Sequence, residues 1–484
     1  MRENMEEFRN MVSRCMERWH IPGAAMAVTS GDSVLMEEVW GVRNLADKKP
    51  VTPETRFVMA SCTKAFNAEM IASLADDGII EFDTPIVKYV PEFRLWDRAA
   101  TEEITMRDML CHRSGLGGHD AMWPNTWERK DFLYRLRFLE PNKPFRYCSQ
   151  YSNVIFAAAG YLAESISGKP WEKLVQERIL DPLGMDQSGF SAAEMCSMED
   201  FAVGYRWHED KLEEMPPWEM TGAEPAAGLY SNLRDMEKWL QMQVQKGRYG
   251  GKQIISEKNI LQTQSPQSAM QSYPWNFPEF PGLGAYGMGW MIRVFRGIPV
   301  IYHHGEIEGF CTFQAVVPAL ERGIVILANR HACCHGFQYT LLFQILDKML
   351  GEEDAGWEER LWQHGQKLEA EEKPDTEEKA QASLTGKDPD PVYPLQEYAG
   401  NYVNPAYGTL QVVKEEKELK LYFKQWKLPV KYQCGQTFLV SNLKEDTMFM
   451  DVPLTYEFDE KTGKAKGFFI KLEPLVNEIR FEKE

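Results

Sequence analysis

The chain has 484 residues, with 54 Lys and Arg against 72 Asp and Glu, a net charge of −18 at pH 7. That length exceeds one ordinary core and calls for two or three domains, and 44% hydrophobic residues is a globular balance rather than a disordered one. The negative excess repels a phosphate backbone, which argues against a nucleic-acid partner.

In chain order, the first element is an amphipathic helix, because Phe8, Met11, Val12, Cys15, Met16 and Trp19 recur at helical spacing. Glu3, Glu6 and Glu7 interrupt it, so it does not read as a secretory signal. No apolar run reaches the roughly 18 residues that cross a bilayer. Nine cysteines show no scaffold spacing, which favours reduced thiols and a cytoplasmic setting.

Ile21-Pro22-Gly23 turns into two strand-like runs, Ala25–Ser30 and Ser33–Trp40, joined at Gly31-Asp32. Helical and irregular segments follow to about residue 280. Four short strands come next, at Met288–Val294, Val300–His304, Gly309–Val317 and Gly323–Asn329, then a closing helix at Phe337–Leu350. Strands at both ends of a domain with helices between predict an antiparallel sheet completed by distant parts of the chain, an α+β architecture with an inserted helical subdomain. Residues 1–351 form this first domain. Residues 352–391 are crowded with Glu, Asp and Lys and read as an acidic linker, partly helical at most. Residues 392–484 hold about eight short strands, including Thr447–Met450, and predict a small all-β barrel or sandwich.

Three stretches carry candidate chemistry. Ser61-Cys62-Thr63-Lys64 opens a helical stretch with an apolar stripe of Ala65, Phe66, Met70, Ile71, Leu74 and Ala75, and positions i and i+3 bring the Lys64 amine to the Ser61 hydroxyl. A free lysine near pKa 10.4 is a poor base at pH 7, so burial and a cationic neighbour would have to lower it by about three units. Tyr151-Ser152-Asn153 precedes an apolar helix; the phenol suits a proton relay and Asn153 suits a substrate carbonyl or amide. His303-His304-Gly305-Glu306 closes a strand, where a small residue lets backbone approach a substrate and an N–H can join that of Ser61 in an oxyanion hole. The first two patterns each have a chance copy in the tail, Ser441-Asn442-Leu443-Lys444 and Tyr402-Val403-Asn404, so the order of the three matters more than any one.

With their neighbours these stretches resemble the serine β-lactamase and penicillin-recognising family, in its class C and D-aminopeptidase-like branch. The resemblance covers about residues 20 to 350 and includes Ile21-Pro22-Gly23-Ala24, Leu110 to Leu116, Asp181-Pro182-Leu183-Gly184-Met185 and Gly228-Leu229-Tyr230-Ser231 through Asp235. It implies Ser61 as the acylated nucleophile, Lys64 as its base, Tyr151 as the relay, and the N–H groups of Ser61 and Glu306 as the oxyanion hole. His303 stands where penicillin-binding members put a lysine, His304 where they carry a small hydroxyl residue, and Glu306 where a small residue is frequent. These departures lead us to expect poor turnover of β-lactams and a preference for an ester, amide or short peptide, with a free amine suited to Glu306 and Glu308. The tail, with Tyr398-Ala399-Gly400-Asn401-Tyr402, resembles the lipocalin-like barrel appended to some of these hydrolases.

Ordinary readings exist beside these. His303 also fits a satisfied buried histidine ordering a strand edge, and the His112 loop reads as structural. Cys62 lies about 100° from Ser61 on a helix and fits core packing. His331-Ala332-Cys333-Cys334-His335 lacks the spaced pairs of a zinc site, so no metal and no cofactor is expected. The expected function is a serine hydrolase working through an acyl-enzyme on a small-molecule or short peptide substrate. The alternative is a ligand sensor on the same fold that does not turn over. Oligomeric state stays open.

Overall fold

A computed structural model of the chain describes residues 2–123, 127–216, 222–270, 273–383, 390–424, 426–440, 452–473 and 476–484. The expected strand at 447–450 and the chance motif at 441–444 lie outside the described residues.

Helix α1 (Arg2–Arg18) leads into the hairpin β1 (Gly23–Thr29) and β2 (Val34–Gly41), whose turn is closed by Ser30 N donating to Ser33 O at 2.9 Å. Two short strands, β3 (Ser268–Ala269) and β4 (Ala285–Tyr286), precede the long meander β5 (Met291–Phe295), β6 (Ile298–Ile307), β7 (Phe310–Val317) and β8 (Arg322–Ala328). The sheet order is β2-β1-β8-β7-β6-β5-β4-β3, and β1 pairs antiparallel with β8 from Ala24↔Ala328 to Thr29↔Gly323. The N-terminal hairpin, ending at Gly41, and the meander, starting at Met291, thus complete one sheet across the long stretch of chain between them.

Both sheet faces are covered, and the period of two sorts the side chains between them. Ala24, Met26, Val28, Cys311, Phe313, Ile324 and Ile326 pack with α1 and the closing helix α5 (Tyr339–Leu350), while Ala25, Ala27, Val316, Val325 and Leu327 face the inserted helical region. That region holds α2 (Thr63–Asp76), α3 (Asn153–Ser167) and α4 (Leu233–Val244). The apolar stripe expected on α2 is only part of its burial. Residues from Thr63 through Leu74 are all buried, because Lys64, Asn67 and Glu69 find polar partners inside: Asn67 accepts from Trp171 Nε1 at 3.0 Å and Glu69 accepts from Thr263 Oγ1 at 2.8 Å.

The acidic stretch read as a linker contains a helix, α6 (Trp357–Ser383). Its first turns bury Trp357 and Leu361 against α5, and ion pairs from Arg14 to Glu358 and from Arg18 to Glu359 fasten it to α1. The tail is a closed antiparallel barrel of eight strands: Gly400–Asn404, Gly408–Glu415, Glu418–Phe423, Trp426–Cys434, Thr437–Val440, Val452–Phe458, Ala465–Ile470 and Ile479–Lys483. Side chains fill it, with the Phe468 ring 4.5 Å from that of Tyr402 and 5.5 Å from that of Tyr456. The chance motif Tyr402-Val403-Asn404 lies in the first of these strands, its phenol donating inside the barrel to Tyr398 O at 2.8 Å.

Candidate active site

Ser61 lies in a short 3₁₀ turn, Ala60–Cys62, that runs directly into α2. Ala60 before it is held at φ +46°, a left-handed backbone that a non-glycine residue adopts only under packing constraint. Lys64 Nζ sits 3.0 Å from Ser61 Oγ and donates to Ala226 O at 2.9 Å. That carbonyl is held in place where α3 passes at Gly160, since a Cβ there would stand 2.6 Å from Pro225 Cγ. Lys64 is fully buried, and burial lowers its pKa to about 7. The sequence argument called for a cationic neighbour as well; the structure does it by burial, while Asp120 and Cys62 push the amine back up.

Tyr151 and Asn153 flank Ser152, which caps α3 by accepting from Ile155 N at 3.5 Å. The cap fixes where helix begins and so aims both neighbours. The Tyr151 hydroxyl is hydrogen-bonded to that of Ser61, yet burial drives its pKa upward, and the Lys64 ammonium lies 4.8 Å from its ring centre. Between these two groups, the amine is the one that can exist as a free base near neutral pH. Asn153 Nδ2 donates to Asp120 Oδ1 at 3.2 Å, leaving its buried Oδ1 without a partner.

On the opposite wall β6 brings Gly305 against the serine. A Cβ at this position would meet Met59 O and Thr312 Oγ1 and come within 3.0 Å of Ser61 N. Only glycine lets the strand pass this close, which explains a small residue here in terms of backbone approach. Glu306 and His304 line the cavity with Ser61, Tyr151 and Asn153; its volume is about 670 Å³, and Tyr273, Tyr286, Met270 and Met291 supply apolar walls.

His303 does not join them at the cavity surface. It is fully buried, Nδ1 donates to His304 O at 2.6 Å, and Nε2 accepts from Tyr286 Oη at 2.8 Å. Burial holds it neutral, with a pKa well below the usual value, and takes His304 down to about 4. At pH 7 the third motif therefore carries no positive charge. Cys62 faces away, with Sγ 3.4 Å from His303 O and its thiol pushed up to about 12 by burial, which leaves it inert. His112, in the loop read as structural, accepts from Ser152 N at 3.1 Å and packs 4.4 Å from the Tyr151 ring centre, so it supports the phenol from behind. Among the described residues no group of three His, Cys, Asp or Glu side chains is placed to hold a metal.

Sequence reasoning did not single out Asp120, the Ala226 carbonyl or Tyr286. None belongs to a spaced motif, and each becomes visible only when its element packs against α2 or β6.

The chain belongs to the β-lactamase family, whose pattern matches residues 8–333; a second pattern, Domain of unknown function (DUF3471), matches residues 385–483. Unguisins hydrolase ungD' of Aspergillus campestris (strain IBT 28561) is 28% identical over 439 residues, 86% of this chain and 79% of that protein. Protein flp of Staphylococcus aureus (strain NCTC 8325 / PS 47) is 23% identical over 336 residues, 68% of this chain and 63% of its own length. The octameric penicillin-binding protein homologue from Pyrococcus abyssi shares the fold, with a TM-score of 0.61 at 21% identity over 99% of this chain and all of that one. Membership of the β-lactamase family, with a relative named as a hydrolase, supports a hydrolase at the level of the family.

Proposed function

We propose that the protein is a serine hydrolase that cleaves an ester, amide or peptide carbonyl through an acyl-enzyme on Ser61. The observation that carries this reading is a buried amine, lowered to about 7, lying 3.0 Å from a serine hydroxyl at the floor of a cavity. The neutral Lys64 amine takes the hydroxyl proton as Ser61 Oγ attacks, and Tyr151 carries a proton onward to the leaving group. The N–H groups of Ser61 and Glu306 hold the developing oxyanion, a contribution of about 10²–10³ in rate per donor. Asn153 Oδ1 is placed to accept a substrate N–H. Water then frees the acyl group.

The substrate carries no carboxylate beside its reacting carbonyl. His303 and His304 offer no cation for a carboxylate, and Glu306 at the cavity wall favours an amine instead. This supports esters and internal or cyclic amides over β-lactams, in keeping with a relative named as a hydrolase of unguisins. A cytoplasmic setting is supported by the unbridged thiols of Cys15, Cys62, Cys111, Cys333 and Cys434, and no described helix is long and apolar enough to cross a membrane. Assembly into several copies is a further proposal, prompted by the octameric homologue.

The test is labelling with a fluorophosphonate probe, expected for the wild type and absent for Ser61→Ala. Short acyl esters and aminoacyl-nitroanilides should then turn over faster than a chromogenic cephalosporin. A cephalosporin hydrolysed faster than either would overturn the substrate reading, and equal labelling of wild type and Ser61→Ala would overturn the nucleophile.

A further inference from the structure

The barrel approaches the catalytic cleft at Glu473. This residue, which follows the seventh barrel strand, is 8% exposed and points its carboxylate at the 3₁₀ turn Asp120–Met122 and the loop before it. Its Oε1 accepts from Ala121 N at 3.0 Å. Gly118 makes the approach possible, since a Cβ there would stand 2.7 Å from Glu473 Oε2 and 3.3 Å from Asp120 Oδ2. Beside this grip, His119 Nδ1 lies 2.6 Å from Tyr407 Oη of the barrel, on a loop residue held at φ +52°. Asp120 is the residue this loop delivers to the cleft. Its carboxylate receives Asn153 Nδ2 at 3.2 Å and acts electrostatically on Lys64 and Tyr151.

We propose that Glu473 is a positioning residue for the hydrolytic centre: by accepting from the Ala121 N–H and packing against Gly118 it fixes Asp120 beside Asn153 and Lys64. The barrel is then part of the catalytic apparatus rather than an appended module. The groups that face Asp120 are Lys64 of α2, Asn153 of α3, Tyr151 ahead of it, His119 on its own loop, and Glu473 with Tyr407 from the barrel. Burial raises both carboxyls, and the Asp120 charge raises Glu473 further, so Asp120 ionises while Glu473 still holds its proton. The Asp120 charge in turn raises the affinity of Lys64 for its proton, so where the carboxylate is held sets the pH at which the amine becomes a base.

This inference rests on the hydrolase reading, and it predicts a displaced pH limb that loss of packing alone does not imitate. The experiment follows the pH dependence of Ser61 acylation by a fluorophosphonate in the full chain. Asp120→Asn removes the negative charge beside Lys64 and moves the rising limb down. Glu473→Ala, which loses the acceptor oxygens, lets Asp120 withdraw from Lys64, so it moves the limb the same way and lowers the plateau about tenfold or more, whereas Glu473→Gln, which keeps one acceptor oxygen and no charge, leaves the limb in place and the plateau within about twofold of wild type. Unshifted limbs in both Glu473→Ala and Asp120→Asn would overturn the proposal. A ¹³C-carboxyl titration of Asp120 separates the two readings. Wild type that shows no Ser61-dependent acylation defeats the hydrolase reading alone, and an Asp120 midpoint that Glu473→Ala leaves in place defeats the positioning.

Discussion

The core around α2 and the core of the barrel are built on opposite terms. In the first, a helix buried on every side encloses an amine, an amide and a carboxyl, and burial shifts Lys64 to about 7 and Glu69 up to about 8. In the second, Tyr402, Phe438, Tyr456, Phe468 and Phe481 fill an eight-stranded barrel with stacked and edge-on rings. The first spends folding free energy to hold groups in uncomfortable protonation states; the second supplies stability through apolar burial. Function concentrates where polar groups are buried, and the barrel meets it through Glu473 and Tyr407.

The sharpest way to break this contrast is Lys64→Met. Acylation of Ser61 should fall by about 10⁴-fold, the scale seen when a member of an interdependent catalytic set is removed. Stability should move the other way. The folded amine titrates near 7 and the unfolded one near 10.4, so folding expels a proton between those values. Wild-type stability therefore declines as pH falls from about 10 to 7, by up to about 1.4 kcal/mol per unit, and stays reduced below 7. Melting curves at pH 6 should place Lys64→Met at or above wild type despite the lost bond to Ala226 O. A variant that is both inactive and markedly less stable at pH 6 would mean that the amine is a structural group.

Phe468→Ala tests the other side. The side chain is fully buried, and its removal should cost about 3–5 kcal/mol in urea unfolding. Labelling of Ser61 per folded molecule should stay within about threefold of wild type. Loss of labelling in proportion to stability would show that the two cores are one cooperative unit. Gly305→Ala should do the reverse, because the added Cβ displaces strand from the Ser61 N–H and disturbs the oxyanion site. The expected outcome is about 10²-fold slower acylation with a melting temperature lowered by only a few degrees.

The same contrast explains what could be read from sequence. Strand pairs, the first helix and the barrel pattern were visible because their apolar spacing follows the period of each element. Ser61, Lys64, Tyr151, Asn153, Gly305 and Glu306 came out because three short polar patterns stand in a fixed order, and the structure lines one cavity with Ser61, Tyr151, Asn153 and Glu306, with Lys64 buried 3.0 Å behind the serine hydroxyl and Gly305 packed against its backbone. His303 shared a motif with them, but strand alternation turns it behind the wall, toward Tyr286. The acidic composition of 352–391 reads as partly helical at most, and the helix Trp357–Ser383 is anchored by Trp357 and Leu361 in its first turns. Asp120 and Glu473 left no signal at all. They lie more than three hundred residues apart, and neither belongs to a periodic or spaced pattern.

Ser152→Ala gives the smallest effect and the finest test of where the two kinds of residue meet. Ser152 touches neither the cavity nor the amine; its hydroxyl accepts from Ile155 N at 3.5 Å and its own N–H is donated to His112 Nδ1. Losing the cap should cost about 1 kcal/mol, read as a small shift in the urea midpoint. If the cap serves only to end the helix, acylation per folded molecule should not change. Because Tyr151 and Asn153 take their directions from the residue between them, we expect acylation to fall several-fold, with the larger change in kcat rather than KM. A drop in KM-linked binding alone would assign the cap to Asn153 and substrate contact; a drop in kcat assigns it to Tyr151 and the proton path, the group whose phenol His112 supports from behind.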